Sequence, residues 1–216
     1  MADVPFSAAL RARTWSEHGD SESATFMSEL LRGHGTREDY AAMSAQHFFI
    51  YQALEHGERR AGEDPTAATF LSKELSRVPA LSDDLEFLFG ERWRAHISPL
   101  PVTREYIARV QEVATTWPAG FIAHHYTRYL GDLSGGQAIL RVLRKRYGFA
   151  DRGVKFYLFD GITDFGDFKD TYRERLDDAP WSHEERERFI DEVIRAYRFN
   201  TRLFAQLQAA RQPVTR

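Results

Sequence analysis

Residues 121–147 read FIAHHYTRYLGDLSGGQAILRVLRKRY, and their apolar side chains recur at the three- and four-residue steps that predict one continuous helix. The middle of this helix, GDLSGGQ at 131–137, contains three glycines, which cost about 2.5–3 kcal/mol relative to alanine in a helix interior. Gly131 and Gly135 lie one turn apart and expose a strip of backbone, with Asp132 in the adjacent row. This strip either admits a flat ligand and lets the helix bend over it, or lets a second helix pack closely.

The other long segments also have helical periodicity. Two of them begin with capping signals, Thr36-x-x-Asp39 and Ser182-x-x-Glu185. Three glycines stand where helices should end: Gly33, Gly90 and Gly148. Only residues 154–159 alternate as a strand does, and a single strand would have no partner. The sequence therefore predicts an all-α protein with a single domain.

The composition excludes several classes of protein. Lys and Arg number 29 and Asp and Glu number 32, for a formal charge of −3, whereas a nucleic-acid-binding protein usually has a strong positive excess. The absence of cysteine excludes disulfides, thiolate metal ligands and a cysteine nucleophile. No apolar run approaches the ~20 residues that a membrane span needs, and the N-terminus lacks an apolar signal core. We therefore expect a soluble, cytoplasmic protein with no membrane anchor and no nucleic-acid partner.

The N-terminal residues have a second unusual pattern. An i, i+4 row on the predicted helix consists of Phe6, Leu10, Thr14 and His18. Glu22 follows His18 by one turn and would accept its Nδ1–H if the helix continues through Gly19, and Arg11 lies on nearly the same face. A carboxylate that orients an imidazole is typical of a metal-bound histidine. The alternative is a partly buried histidine in a polar network.

These two segments resemble the heme oxygenase family. The GDLSGGQ stretch, preceded by AHHYTRYL at 123–130, is similar to the distal-helix signature of that family. His18, nine residues before Met27, resembles the segment that carries its proximal heme ligand. Residues 51–55 and 199–200 also align in order.

The resemblance runs from about residue 6 to residue 208 and implies a fold. We expect residues 1–216 to form one multi-helix bundle of the heme oxygenase type with short flexible termini. Heme would lie between an N-terminal proximal helix and a glycine-rich, kinked distal helix.

The resemblance also implies roles for matching positions. His18 would be the axial iron ligand, the one metal ligand, with Glu22 on its other ring nitrogen, and Asp132 would be catalytic by organising distal water. The other heme-binding positions that it implies are Arg11, Tyr126, Gly131, Ser134, Gly135, Gly136, Lys169 and Arg173. Lys169 and Arg173 are an i, i+4 pair that would contact the propionates, as would Arg11 and Tyr126. A solvated basic face is the alternative for this pair.

Two positions depart from the family pattern. The residue four positions after Arg11 is basic in some relatives but is Trp15 here, so one cationic propionate contact is either missing or replaced by ring stacking. Two adjacent histidines, His124 and His125, precede the signature where relatives can carry only one. Neither is assigned a ligand role, because both lie more than one turn before the glycine strip.

The implied reaction uses heme b as cofactor and substrate, with three O₂ and seven electrons, and yields biliverdin, CO and ferrous iron. The chain has no dinucleotide fingerprint after a strand and no flavin motif. We therefore expect no flavin or nicotinamide site and an external electron donor: a ferredoxin, a flavodoxin or a diflavin reductase.

A basic cluster would either dock an acidic donor or be a solvated helix end: Arg141, Arg144, Lys145 and Arg146. The absence of a C-terminal anchor favours a soluble bacterial type that serves iron acquisition.

Three other functions compete with this interpretation. A non-catalytic heme carrier on the same helical fold would need His18 but has no use for Asp132 beside a glycine strip. Di-iron oxidases use Glu-x-x-His pairs, a spacing that the chain lacks, and thiaminase-like enzymes need a cysteine in most cases. A helical interaction module would leave the glycines unexplained.

Overall fold

The computed structural model describes residues 4–211, and within them the chain folds into α-helices without a strand. The helices are α1 (Phe6–Arg13), α2 (Trp15–Ser23), α3 (Thr25–Arg32), α4 (Arg37–Ala61), α5 (Pro65–Ala68), α6 (Val78–Phe89), α7 (Pro101–Thr116), α8 (Pro118–His125), α9 (Gly135–Tyr147), α10 (Phe165–Asp178) and α11 (His183–Ala210). The predicted all-α class is confirmed. No helix in this part of the chain is long and apolar enough to cross a membrane. Residues 212–216, at the C-terminal end of the sequence, lie outside the described residues.

Local sequence signals set the helix ends. At the start of α4, Thr36 Oγ1 accepts a hydrogen bond from the Asp39 amide at 3.1 Å, and the Asp39 carboxylate accepts the Thr36 amide at 2.8 Å. This reciprocal capping satisfies two amides that the first helical turn leaves free. The three predicted stop positions follow α3, α6 and α9 with φ angles of 76°, 84° and 70°: Gly33, Gly90 and Gly148. These left-handed values favour glycine, so the predicted ends are confirmed.

The core forms around α4, the 25-residue helix in the middle of the bundle. It packs against α6 and α7 and also contacts α8 and α11. Ile50, Tyr51 and Leu54 are fully buried on it. Each such side chain contributes about 1.5–3 kcal/mol when it leaves water, and α4 is thereby the scaffold for α6 and α7, whereas α8 and α11 pack chiefly on each other.

The one strand-like alternation does not form a strand. Residues Lys155–Tyr157 form a short 3₁₀ helix. The alternation comes from burial, because Val154, Phe156 and Phe159 all pack into the core. The Asp84 carboxylate of α6 accepts the amides of Lys155 and Phe156 at 2.9 and 2.8 Å, in place of the ladder bonds that a strand would make.

The segment predicted as one helix from 121 to 147 is broken. Its α8 portion leads into a π-helical turn, Tyr126–Leu130, and the helix stops at Leu133 and Ser134 before α9 begins. Ser134 has φ −112° and ψ −84°, which are not helical angles. The expected bend at the glycines therefore occurs as a break, and continuous winding was a wrong expectation. Helices kink at glycines and at π turns, and this segment contains both, which accounts for the break.

Close packing at Gly57 of α4 makes a stability prediction. An added Cβ there would lie 2.6 Å from Phe121 Cε2, inside the core. Gly57→Ala should therefore lower the free energy of unfolding by about 1–3 kcal/mol in urea denaturation. Gly19→Ala is the matched control, since nothing lies within 4 Å of its Cβ and α2 would gain up to about 1 kcal/mol of helix propensity. A Gly57→Ala protein as stable as the wild type would contradict this packing.

Candidate functional site

A cavity of about 370 Å³ opens between α2 and the break in the distal helix. Nine of the predicted site residues line it: Arg11, His18, Glu22, Tyr126, Gly131, Ser134, Gly135, Lys169 and Arg173. A smaller cavity of about 120 Å³ shares part of this wall and is lined by the other two, Asp132 and Gly136. The fold therefore brings together residues that are more than 160 positions apart in sequence.

The glycines of the signature have different surroundings. A Cβ added to Gly131 would have nothing within 4 Å, and one added to Gly135 would meet only Glu22 Oε1 at 3.7 Å. At Gly136, by contrast, it would lie 3.1 Å from the Tyr157 ring. The first two glycines thus leave bare backbone on the cavity, whereas the third permits close packing.

His18 faces this bare backbone from α2. Its imidazole is stacked on Trp15, with ring centroids 5.8 Å apart and planes at 12°, and meets the edge of Tyr197 at 5.5 Å. Glu22 Oε1 lies 3.6 Å from Nε2, which is longer than a hydrogen bond and involves a different nitrogen from the predicted Nδ1. A non-helical residue, Thr14, separates α1 from α2. The predicted continuous row from Phe6 to His18 is therefore two helices with a joint.

On the other side of the glycine strip, Asp132 belongs to a buried polar network. The Tyr51 hydroxyl donates to Asp132 Oδ2, and Arg128 Nε donates to the Tyr51 oxygen at 3.3 Å. Arg128 Nη1 also donates to Asn200 Oδ1 at 2.8 Å. No role was predicted for Tyr51, Arg128 or Asn200, although all three lie in segments that align with the family. The available signal was the spacing of Arg128 and Asp132, opposite charges one turn apart beside the glycines.

Burial controls the protonation of this network. It raises the pKa of Asp132 to about 6, while the Arg128 charge and the Tyr51 hydrogen bond oppose the rise. Burial also holds the pKa of His47 well below its usual value, and His47 Nε2 has no hydrogen-bond partner among the described residues. Asp132 and His47 both line the smaller cavity. A carboxylate with a pKa of about 6 beside a cavity is suited to holding and releasing a proton.

Cationic side chains surround the mouth of the larger cavity. Lys169 Nζ donates to Ser134 Oγ at 3.2 Å, and Arg173 pairs with Asp170 at 2.5 Å. Burial raises the pKa of Tyr126, while the nearby Arg173 and Arg11 charges oppose the rise. Carboxylates of a ligand at this mouth would meet two guanidinium groups, one ammonium group and one phenol.

Three residues outside the predicted ligand set have clear surroundings. His124 and His125 are both fully buried, bonded to Glu192 and Tyr172 respectively, and do not line either cavity. In the exposed basic cluster at the end of α9, Arg144 is paired with Asp151 at 2.7 Å.

Comparison with known proteins points to one family. Residues 4–206 match the family model described as heme oxygenase. The chain is 33% identical over 205 residues to heme oxygenase 1 of Synechocystis, covering 95% of this chain and 85% of the relative. It is 37% identical to human heme oxygenase 1, covering 94% of this chain and 71% of the relative.

Solved structures agree with the sequence matches. The crystal structure of Synechocystis heme oxygenase-1 in complex with heme has a TM-score of 0.91 and 33% identity, covering 95% of this chain and 93% of the other. Heme oxygenase from Leptospira interrogans has a TM-score of 0.89 and 30% identity, covering 94% and 100%.

The raised pKa of Asp132 predicts a titration. Because the folded protein binds this proton more tightly than the unfolded chain, the group's contribution to stability falls as pH rises from 3.8, its ordinary pKa, through about 6. Infrared difference spectra of the heme-free protein should show a carboxylic acid band that converts to carboxylate near pH 6. The band should be missing in Asp132→Asn. A band that persists in this variant would assign the titration to another buried carboxyl, such as Asp84.

Proposed function

The chain belongs to the heme oxygenase family, and we propose that it opens the heme ring with His18 as the iron ligand and Asp132 as the distal catalytic group. Enzymes of this family degrade heme, with biliverdin as the product, and this chain is an enzyme of that kind. One observation carries the assignment of roles. A cavity bounded by an imidazole on one side and bare backbone on the other adjoins a buried carboxylate network.

The residues present fit heme. A side chain at Gly131 would project into open space, so its absence leaves room for a flat ring to approach the backbone. His18 would hold the iron, assisted by Glu22, and Gly135 would contact the ring beside Gly131. The carboxylate-binding groups at the mouth would be Arg11, Tyr126, Lys169 and Arg173. Ser134 would contact the ligand at the break, and Gly136 would let the distal helix pack on Tyr157.

When bound, heme supplies the iron that activates O₂ and is itself the ring that is cleaved. The chain's own contribution is to hold and move a proton at Asp132. Tyr51 occupies Oδ2 of that carboxylate, which leaves Oδ1 to accept a hydrogen bond from water in the smaller cavity. A cavity of about 120 Å³ has room for water, and Asp132, His47 and Asn200 on its wall offer that water polar partners. Arg128 stabilises the carboxylate form, and the low pKa of His47 keeps a second positive charge away.

The electrons would come from outside the chain. We propose an external ferredoxin, flavodoxin or diflavin reductase in the cytoplasm as the donor. The exposed basic residues near the end of α9 support docking of an acidic protein. A non-catalytic carrier would need His18 and the cations at the mouth but not the buried network around Asp132. Turnover therefore separates the two functions.

Asp132→Ala should bind heme but lose biliverdin formation by at least about 100-fold, because a positioned proton-transfer group contributes roughly that factor. The test titrates each protein with hemin and then adds a ferredoxin system or ascorbate in air, following Soret decay and CO release. Asp84→Asn is the control, since it changes a carboxyl that is also buried and also has a pKa of about 6 but lies outside both cavities. Normal biliverdin yield from Asp132→Ala would refute the role, and stable heme in the wild type would favour the carrier.

His18→Ala should lose the axial ligand. The iron–histidine stretch in the resonance Raman spectrum of the ferrous protein should disappear, and added imidazole should restore a five- or six-coordinate heme spectrum. The control is His56→Ala, which removes an exposed histidine of α4. An unchanged stretch in His18→Ala would place the ligand elsewhere.

A further inference from the structure

A buried hydrogen bond joins the distal segment to α10. His125 Nδ1 lies 2.9 Å from the Tyr172 hydroxyl, and the two rings are stacked with centroids 5.8 Å apart and planes at 14°. His125 is fully buried and Tyr172 is 1% exposed. His125 immediately precedes Tyr126, a residue of the cavity wall. The bond therefore ends directly beside the site without reaching into it.

The helix held by this bond carries two of the proposed propionate contacts. Lys169 and Arg173 lie three residues before and one residue after Tyr172 in α10. The same tyrosine packs on Phe70 at 5.0 Å and on Tyr126 at 6.2 Å. Tyr172 is thus the point at which α10 is fixed to the segment that leads into the glycine strip.

Near its C-terminal end α10 is also held to α1, where Asp177 accepts the Ser7 amide at 2.6 Å and the Ser7 hydroxyl at 2.9 Å. The other polar links at the end of α10 beside the glycine strip are weaker. Lys169 and Ser134 meet in an exposed contact, and Arg173 pairs with Asp170 of its own helix. Exposed contacts of this kind contribute little to a fixed geometry. The His125–Tyr172 bond is uncharged, since burial lowers the pKa of His125 to about 3 and raises that of Tyr172 well above its usual value. Neither salt nor physiological pH should weaken it.

We propose that His125 and Tyr172 are positioning residues that determine which edge of the heme ring faces the glycine strip. They fix the distance from Lys169 and Arg173, which would hold the carboxylates at one edge of the ring, to Gly131 and Gly135, which would contact its face. If that distance varies, the ring can rotate in its plane and present a different meso carbon to the distal side. This inference rests on the proposed function and adds a specificity determinant to it.

Two variants separate the hydrogen bond from the packing. Tyr172→Phe keeps the ring and removes only the hydroxyl, whereas His125→Asn loses ring volume but keeps an acceptor near the position of Nδ1. The matched control is Tyr40→Phe, which removes the hydroxyl of an equally buried tyrosine. That hydroxyl donates to the Gly153 carbonyl at 2.7 Å and not to a residue of α10 or of the distal segment. If only fold stability mattered, Tyr40→Phe and Tyr172→Phe would behave alike.

The first readout uses the heme-free protein. Hydrogen exchange of the amides of residues 165–178 should be about fivefold faster in Tyr172→Phe, the factor that corresponds to one net hydrogen bond of about 1 kcal/mol. It should be unchanged in Tyr40→Phe. Equal protection of α10 in Tyr172→Phe and the wild type would overturn the proposed link.

The second readout uses the heme complex and its products. Proton NMR of the heme methyl groups should show one dominant seating in the wild type and in His125→Asn, and a mixture in Tyr172→Phe. Chromatography of the biliverdin isomers should show the same change in their ratio, by about fivefold. An unaltered ratio in Tyr172→Phe, with normal total biliverdin, would overturn the inference alone. Failure of the wild type to form any biliverdin would instead overturn the proposed function.

Discussion

The Arg128 guanidinium is the charge around which the distal half of the structure is arranged. It is buried in the π turn and hydrogen-bonds to Tyr51 of α4 and Asn200 of α11. A buried cation is unfavourable unless its surroundings compensate it, and here Asp132, four residues later, supplies the opposite charge. The same contacts tie the broken helix to the two longest helices of the bundle. These contacts add to the local backbone bonds at the interruption, where the Leu133 amide donates to the Tyr129 carbonyl at 3.0 Å and the Ser134 amide to the Gly131 carbonyl at 3.2 Å.

Much of the site could be predicted because its strongest signals are local. Glycines one turn apart expose backbone whatever their tertiary neighbours are, and the reciprocal cap at Thr36 and Asp39 formed as its spacing predicted. The buried network could not be predicted in the same way. Tyr51 is 77 positions from Arg128 and Asn200 is 72 positions from it, and helical periodicity gives the face of a residue but not its partner. The predicted hydrogen bond from His18 Nδ1 to Glu22 differs from the structure for a related reason. Spacing brings the two side chains together but does not determine which ring nitrogen faces the carboxylate.

The two walls of the cavity differ in how firmly they are held. On the distal side, charged and uncharged hydrogen bonds are buried and join three helices. On the proximal side, α2 is a short helix that begins at the Thr14 joint, and Trp15, the aromatic neighbour of His18, is 62% exposed. The distal wall is thus held by buried polar groups, whereas the proximal wall is held by the packing of α2 against α11.

The π turn at Tyr126–Leu130 affects which deletions the gene for this chain can tolerate. A π turn contains one more residue than the α-helical turn that it replaces, and each residue of an α-helix turns the chain by about 100°. Loss of a single codon within this stretch would preserve the reading frame and every residue of the signature that follows. Because the π turn already holds the extra residue, the four that remain could close an ordinary α-helical turn, and Gly131 and Asp132 would keep about their present direction relative to α8. The residues inside the turn would be displaced instead, and the buried Arg128 would lose its alignment with Tyr51 and Asn200.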